Sequence, residues 1–114
     1  MTDAVTTYRK TASGWKGETL LPLAFSIEGK PAELRLTTYA NNPGIVTYAA
    51  VQTRDDNFTT MRVLRDYHVC PERSRDRATE RAVRAQHERH VGELPTYMIA
   101  ALSHHTEKGD VTCP

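Results

Sequence analysis

Five histidines and two cysteines are the residues in this chain with the widest chemical repertoire. His68 and Cys70 stand two apart and His87 and His90 one helical turn apart, so four side chains of zinc-binding type fall into two close pairs. Structural zinc sites use C-x-x-C or H-x-x-x-H pairs, and neither spacing occurs here. The reading is therefore no bound metal and no cofactor. Cys70 and His68 lack the third group that would orient an imidazole as base for a thiolate nucleophile. Asp55 and Asp56 fall at a predicted hairpin tip, where turn formation accounts for them. No glycine-rich phosphate loop and no nucleophile elbow is present. The expectation leans away from an enzyme, with no catalytic residue assigned; a small enzyme or metal protein using the histidines is the third-ranked alternative.

Arginine offers the more distinctive constellation. Arg73, Arg77, Arg81 and Arg84 follow one another at three- and four-residue spacing, which places like charges side by side on a helix. Asp76, Glu80 and Glu88 flank them, and Glu80 to Arg84 has the favourable order for an ion pair. A row of this kind is either a solvated helix face or a site for an acidic or phosphate-bearing partner.

Three predicted strands between Glu33 and Tyr67 position a second surface. Leu34, Leu36 and Thr38 alternate with Glu33, Arg35, Thr37 and Tyr39, the period of two of a strand with one wet side. The turn at Asn41-Asn42-Pro43-Gly44 pairs Ala40 with Ile45, and so Leu36 with Ala49 and Leu34 with Val51. A three-residue loop at Asp55-Asp56-Asn57 would set Met61 opposite Val51 and Val63 opposite Ala49, and would keep Arg62 out of the core. The outer face then carries Arg35, Thr37, Tyr39, Tyr48, Thr60, Arg62 and Leu64.

Upstream, residues 1–14 read as a mobile tail. Trp15 reads as an edge anchor over one end of the core. Leu20 to Ile27 reads as a first strand, with Leu21, Leu23, Phe25 and Ile27 inward and Pro22 marking an edge or a bulge. Downstream, a helix is expected from about Arg73 to Val91, capped by Ser74, with Ala78, Thr79, Ala82, Val83, Ala85 and Gln86 inward, His90 packed beside Val83 and His87 at its border. A shorter helix follows from about Pro95 to Glu107, with Met98, Ala101 and Leu102 inward and Gly109 as its stop. The sum is an α+β domain over residues 15–109: a four-stranded antiparallel meander with one face covered by an alanine-lined helix, then a shorter helix and a tail at 110–114.

Composition sets the outer limits. At 114 residues, 25% charged and 7% aromatic, the chain has the make-up of one small globular domain. Its net charge of +1 is too slight to signal nucleic-acid binding, which must rest on local clustering. The start Met1-Thr2-Asp3-Ala4 lacks the basic and apolar segments of a signal peptide, and no run is long enough to span a membrane, so the expected location is cytoplasmic. Cys70 and Cys113 are then expected as free thiols.

The runs Leu34-Arg35-Leu36-Thr37-Thr38-Tyr39, Phe58-Thr59-Thr60 and Ala78 to His87 resemble short uncharacterised proteins carried in accessory regions of bacterial plasmids and integrative elements. The resemblance covers the sheet and first helix and implies context, not chemistry: small proteins of that setting act by binding, often as inhibitors of host defence. The leading expectation is a non-catalytic protein that engages a host protein or protein–nucleic-acid complex through Arg73, Arg77, Arg81 and Arg84 on the helix and Arg35 and Arg62 on the sheet. The alternative is direct nucleic-acid binding, with Tyr39 and Tyr48 stacking on bases and Arg35 and Arg62 on phosphates. An open sheet with an aromatic outer face is also a surface for a homodimer.

Overall fold

The computed structural model describes residues 4–27, 29–41, 44–54, 61–63, 71–108 and 111–112, with side chains for all of these but 54, 61–63, 104–108 and 111–112. The chain is α+β. Five strands in chain order form the path of an antiparallel sheet: β1 (Val5–Thr11), β2 (Gly14–Ile27), β3 (Lys30–Asn41), β4 (Gly44–Arg54) and β5 (Met61–Val63). Two short strands complete its edges, β6 (Glu72–Ser74) on β4 and β7 (Val111–Thr112) on β2. Helices α1 (Glu80–Val91) and α2 (Leu94–Lys108) follow β6, and α1 lies against β2, β3 and β4.

The central hairpin has the register its turn predicts: Ala40 pairs with Ile45, Leu36 with Ala49 and Leu34 with Val51. Leu34, Leu36, Ala49 and Val51 are fully buried. Pro22 marks an irregularity, where the four steps from Pro22 to Ser26 on β2 span only the two steps from Glu33 to Pro31 on β3. That even offset keeps Leu21, Phe25 and Ile27 on one side, buried with Leu34 and Leu36.

Several expectations are corrected, the first being the strand count, since the main path of the sheet has five strands and not four. The N-terminal segment is not a tail, because Val5–Thr11 pairs residue for residue with Leu20 back to Gly14. Thr6 and Tyr8 alternate with Thr7 and Arg9, a period of two in which polar threonines masked the strand. The third turn is longer than expected: Arg54 pairs with Met61 and Thr53 with Arg62, so the register moves three residues from the one that set Met61 against Val51. An odd shift exchanges the two faces, and the grounds for placing Arg62 on the outer face are gone. The loop residues 55–60, with Thr60, and Leu64, Cys70 and Cys113 lie outside the described residues.

The long helix from Arg73 is divided. Glu72, Arg73 and Ser74 pair with Thr47, Val46 and Ile45 as strand β6, next to Gly44, where a Cβ would collide with the Ser74 carbonyl oxygen. The helix starts only at Glu80. Thr79, extended at φ −85° and ψ 163°, is its N-cap, and its hydroxyl accepts from the Ala82 N–H at 3.2 Å. Thr79 caps better than Ser74 because Glu80 then sits in the first turn, where a carboxylate matches the helix dipole.

The buried stripe of α1 is Val83, Gln86, His87 and His90, not the alanines; Ala85 is exposed and His87 is at the centre of the stripe, not its border. In α2, Leu94, Tyr97 and Ala101 are buried and Met98 is half-buried against them, whereas Leu102 points outward at 45% exposure. Val111 and Thr112, read as tail, pair with Ile27 and Ser26. No helix among the described residues is long and apolar enough to cross a membrane.

Candidate functional site

The arginines do not form a row. Arg73 sits on β6, Arg77 in the following loop and Arg81 on the exposed side of α1, while Arg84 is half-buried and engaged. Its Nε donates to Glu80 at 2.9 Å, and its guanidinium lies 4.2 Å from the centre of the Tyr8 ring. One-turn spacing means adjacency only if the whole stretch is helical, and β6 breaks that premise.

The outer sheet face, by contrast, is assembled as a two-dimensional array. Register places Arg9, Lys16, Tyr39 and Val46 in one row, and Thr7, Glu18, Thr37 and Tyr48 in the next. Such cross-strand neighbours stand close enough to act together. The rings of Tyr39 and Tyr48 meet edge to face at 6.1 Å and 84°. Arg35 donates from its terminal nitrogen to the Tyr48 hydroxyl at 3.3 Å and stands 5.9 Å from the ring centre. Lys16 is 4.0 Å from Glu18. Glu33, buried on the same face, accepts from Gln52 at 3.1 Å.

A cleft of about 360 Å³ opens in this face at the β1–β2 corner, bounded by Arg9, Lys16, Thr37, Tyr39 and Tyr48. Of the residues expected to bind, the structure brings Arg35, Tyr39 and Tyr48 together and leaves Arg73, Arg77 and Arg81 apart. Sequence reasoning missed Arg9 and Lys16. The signal was there: Arg9 falls on the same parity as Thr7 and Thr11, and Gly14 at φ 128° ends the tight turn that folds β1 onto β2.

Polar side chains also fill the inner face beneath α1. Gln86 donates from Nε2 to Thr47 Oγ1 at 2.8 Å; Thr47 and Thr38 share a hydrogen bond of 2.8 Å; Thr38 reaches His87 Nδ1 at 2.9 Å; His87 Nε2 reaches Thr19 at 2.7 Å; and Thr19 reaches Thr6 at 2.7 Å. The amide of Gln86 can only donate to Thr47, so the Thr47 hydroxyl is free to donate to Thr38, and Thr38 to His87 Nδ1. A neutral imidazole with its proton on Nε2 then donates to Thr19 and completes a chain running in one direction. A second proton, on Nδ1, would face the Thr38 hydroxyl proton and turn that hydroxyl toward Thr47, which would then accept from both Thr38 and Gln86 and lose the acceptor for its own proton. Burial, with the neighbouring His90 second, holds His87 down to about 4 from 6.5. Gly17 makes room for the ring: a Cβ there would lie 2.8 Å from Tyr8 and 3.1 Å from His87.

His90 belongs to a separate network. Its Nδ1 and the Tyr97 hydroxyl are 2.5 Å apart, and that hydroxyl donates to Glu93 at 3.0 Å. The carboxylate of Glu72 faces His90 Nε2 and accepts from Arg89 at 2.5 Å. The hydrogen bond from Arg89 is the main cause that holds the Glu72 carboxyl below the usual range and the Arg89 guanidinium above its own. Carboxylate, imidazole and phenol in sequence have the connectivity of a proton relay, yet His90 and Tyr97 are 1% and 5% exposed and the neighbouring groove reaches only Glu72 and Arg89. What the network does is tie β6 to both helices.

Of the four side chains of zinc-binding type, only His87 and His90 lie among the described residues, and they belong to separate networks. Both nitrogens of His87 are taken by threonines, His68 and Cys70 lie outside the described residues, and no three His, Cys, Asp or Glu side chains converge among those described. Compared with protein-family models, curated proteins and solved structures, the chain finds no match in any of the three.

Proposed function

We propose that this protein works by binding and not by catalysis, and that it engages an anionic macromolecular partner through the outer face of its sheet. The observation that carries this reading is the grouping of Arg9, Lys16 and Arg35 around Tyr39 and Tyr48 on one face, where, among the described residues, Glu18 is the acid at the rim and Glu33 is buried. Cations interleaved with aromatic rings bind polyanions by charge and bind bases or other planar groups by stacking. In the setting of a mobile genetic element, such a partner is a host protein–nucleic-acid complex or the nucleic acid itself.

The test is binding of a fluorescent single-stranded oligonucleotide and of polyglutamate across a salt series. Affinity for the oligonucleotide should fall log-linearly with salt, and Arg35→Ala and Tyr48→Ala should weaken it while Arg81→Ala does not. Absence of polyanion binding at low salt would sink the reading. A second reading, docking of a host protein on the helix side, is favoured by the exposure of Arg73, Arg77 and Arg81; it predicts the reverse order of these variants.

A further inference from the structure

We infer that the cleft at the β1–β2 corner is a nucleotide subsite, taking one phosphorylated planar base either as a free nucleotide or as one residue of a strand. This rests on the outer-face reading and narrows it to a ligand class. The cleft measures about 360 Å³, at the small end of the ~300–1,000 Å³ typical of ligand pockets. That is room for a single small ligand or one residue of a longer one.

Its walls divide the ligand into two parts. Arg9 and Lys16 are direct register partners on β1 and β2, so their cationic ends approach the same region from adjacent strands. Among the described residues Arg9 has no carboxylate partner, and Lys16 has only Glu18 at 4.0 Å. Two cations on neighbouring strands at one cleft, with Glu18 held only weakly by Lys16, suit a phosphate, whose several oxygens can accept from both. Tyr39 and Tyr48, edge to face on the opposite wall, offer one ring face and one ring edge to a planar group.

Thr37 supplies an independent observation. It lines the cleft, is 2% exposed, and its Oγ1 has no hydrogen-bond partner among the described residues. Nearby on the same face, the Nε of Arg35 is likewise buried and unpartnered. Buried polar atoms are nearly always satisfied, so a hydroxyl and a guanidinium nitrogen left without partners beside a cationic cleft are groups that a rotation of the side chains over them would turn to a ligand. An acidic peptide would satisfy the cations and leave the tyrosine wall unused. Among the described residues no Asn, Gln or Asp lines the cleft to read a base edge, so the subsite should accept different bases with little preference.

Calorimetric titration of the whole chain with thymidine 5′-monophosphate, thymidine, inorganic phosphate and an oligothymidylate strand tests the proposal. The monophosphate should bind one to one and tighter than thymidine or phosphate alone, and the tyrosine ring resonances should shift on binding. Thr37→Val and Arg9→Ala should each weaken it by about tenfold, the loss of one hydrogen bond to a charged group. Thr37→Val should leave the melting temperature unchanged or raised, since the hydroxyl it removes is unpaired; a merely structural role would lower it. Tighter binding of the strand than of the monophosphate assigns the subsite to polynucleotide, and the opposite order to free nucleotide. If the strand binds and Tyr48→Ala weakens it, while the monophosphate does not bind and Thr37→Val is silent, the subsite is overturned and the outer-face reading stands. Monophosphate binding that neither variant alters also overturns the subsite. If no anion binds, both fail.

Discussion

The two ends of the helix-covered sheet face are built from different chemistry. Beneath α2, Leu21, Phe25, Ile27, Leu34, Leu36 and Val51 meet Leu94, Tyr97 and Ala101, and the association is apolar and non-directional. Beneath α1, Thr19, Thr38 and Thr47 meet Gln86 and His87 through directed hydrogen bonds, with Val83 as the one fully buried aliphatic side chain of the helix. The apolar end supplies most of the area removed from water. The polar end contributes little net energy per bond but fixes the rotation and position of α1, because shifting it leaves several buried donors and acceptors unsatisfied at once.

That contrast can be broken most strongly at the apolar end. Leu34→Ala, at a site with no exposure, should cost about 2–5 kcal/mol, measured by urea unfolding, and the cost should not vary with pH. The polar end should respond to acid instead. His87 titrates at about 4 in the folded chain against 6.5 unfolded, so between those values the unfolded chain binds more protons. Its stabilising share is complete above pH 6.5, declines as pH falls to about 4, and then levels off, a loss of roughly 3 kcal/mol. His87→Gln should flatten that part of the profile. The depressed Glu72 carboxyl has its share above the ordinary carboxylate range and loses it at lower pH, so acid unfolding should show a second, later decline that Glu72→Gln removes.

Thr47→Val sharpens the comparison. It keeps shape but strands the amide of Gln86 and the hydroxyl of Thr38, and should cost about 1–3 kcal/mol; adding Gln86→Leu should recover part of that, because an unmade bond costs more than an absent one. Equal costs for the single and double variants would count against the chain as described. The smallest effect is expected at the rim, where Thr79→Ala should cost ~1 kcal/mol through the lost cap and leave the acid profile unchanged.

The same division governs what could be read in advance. The central hairpin was legible because its apolar alternation and its turn agree on one register, Leu36 with Ala49. The helix rotation was not. Hydrophobic periodicity favoured the alanines and put His87 at the border, since a histidine counts as inward only when the threonines on two separate strands that meet its two nitrogens are known. The outer site was half legible: Arg35, Tyr39 and Tyr48 follow from one hairpin, whereas Arg9 and Lys16 require β1 to be recognised as a strand.

Local alternation and turn chemistry by themselves determined the antiparallel core and its buried leucines, and left Pro22 as either an edge or a bulge, because these depend on neighbours close in the chain. Only the tertiary structure decided where the arginines go, which side of α1 is buried and that a basic cleft exists. Each of those depends on pairings between segments remote in sequence: β6 with β4, α1 with three strands, and β1 with β2 in a register that sets Arg9 beside Lys16. Backbone pairing of Glu72–Ser74 with β4 overrode a helical charge pattern, and satisfaction of buried polar groups overrode a preference for alanine.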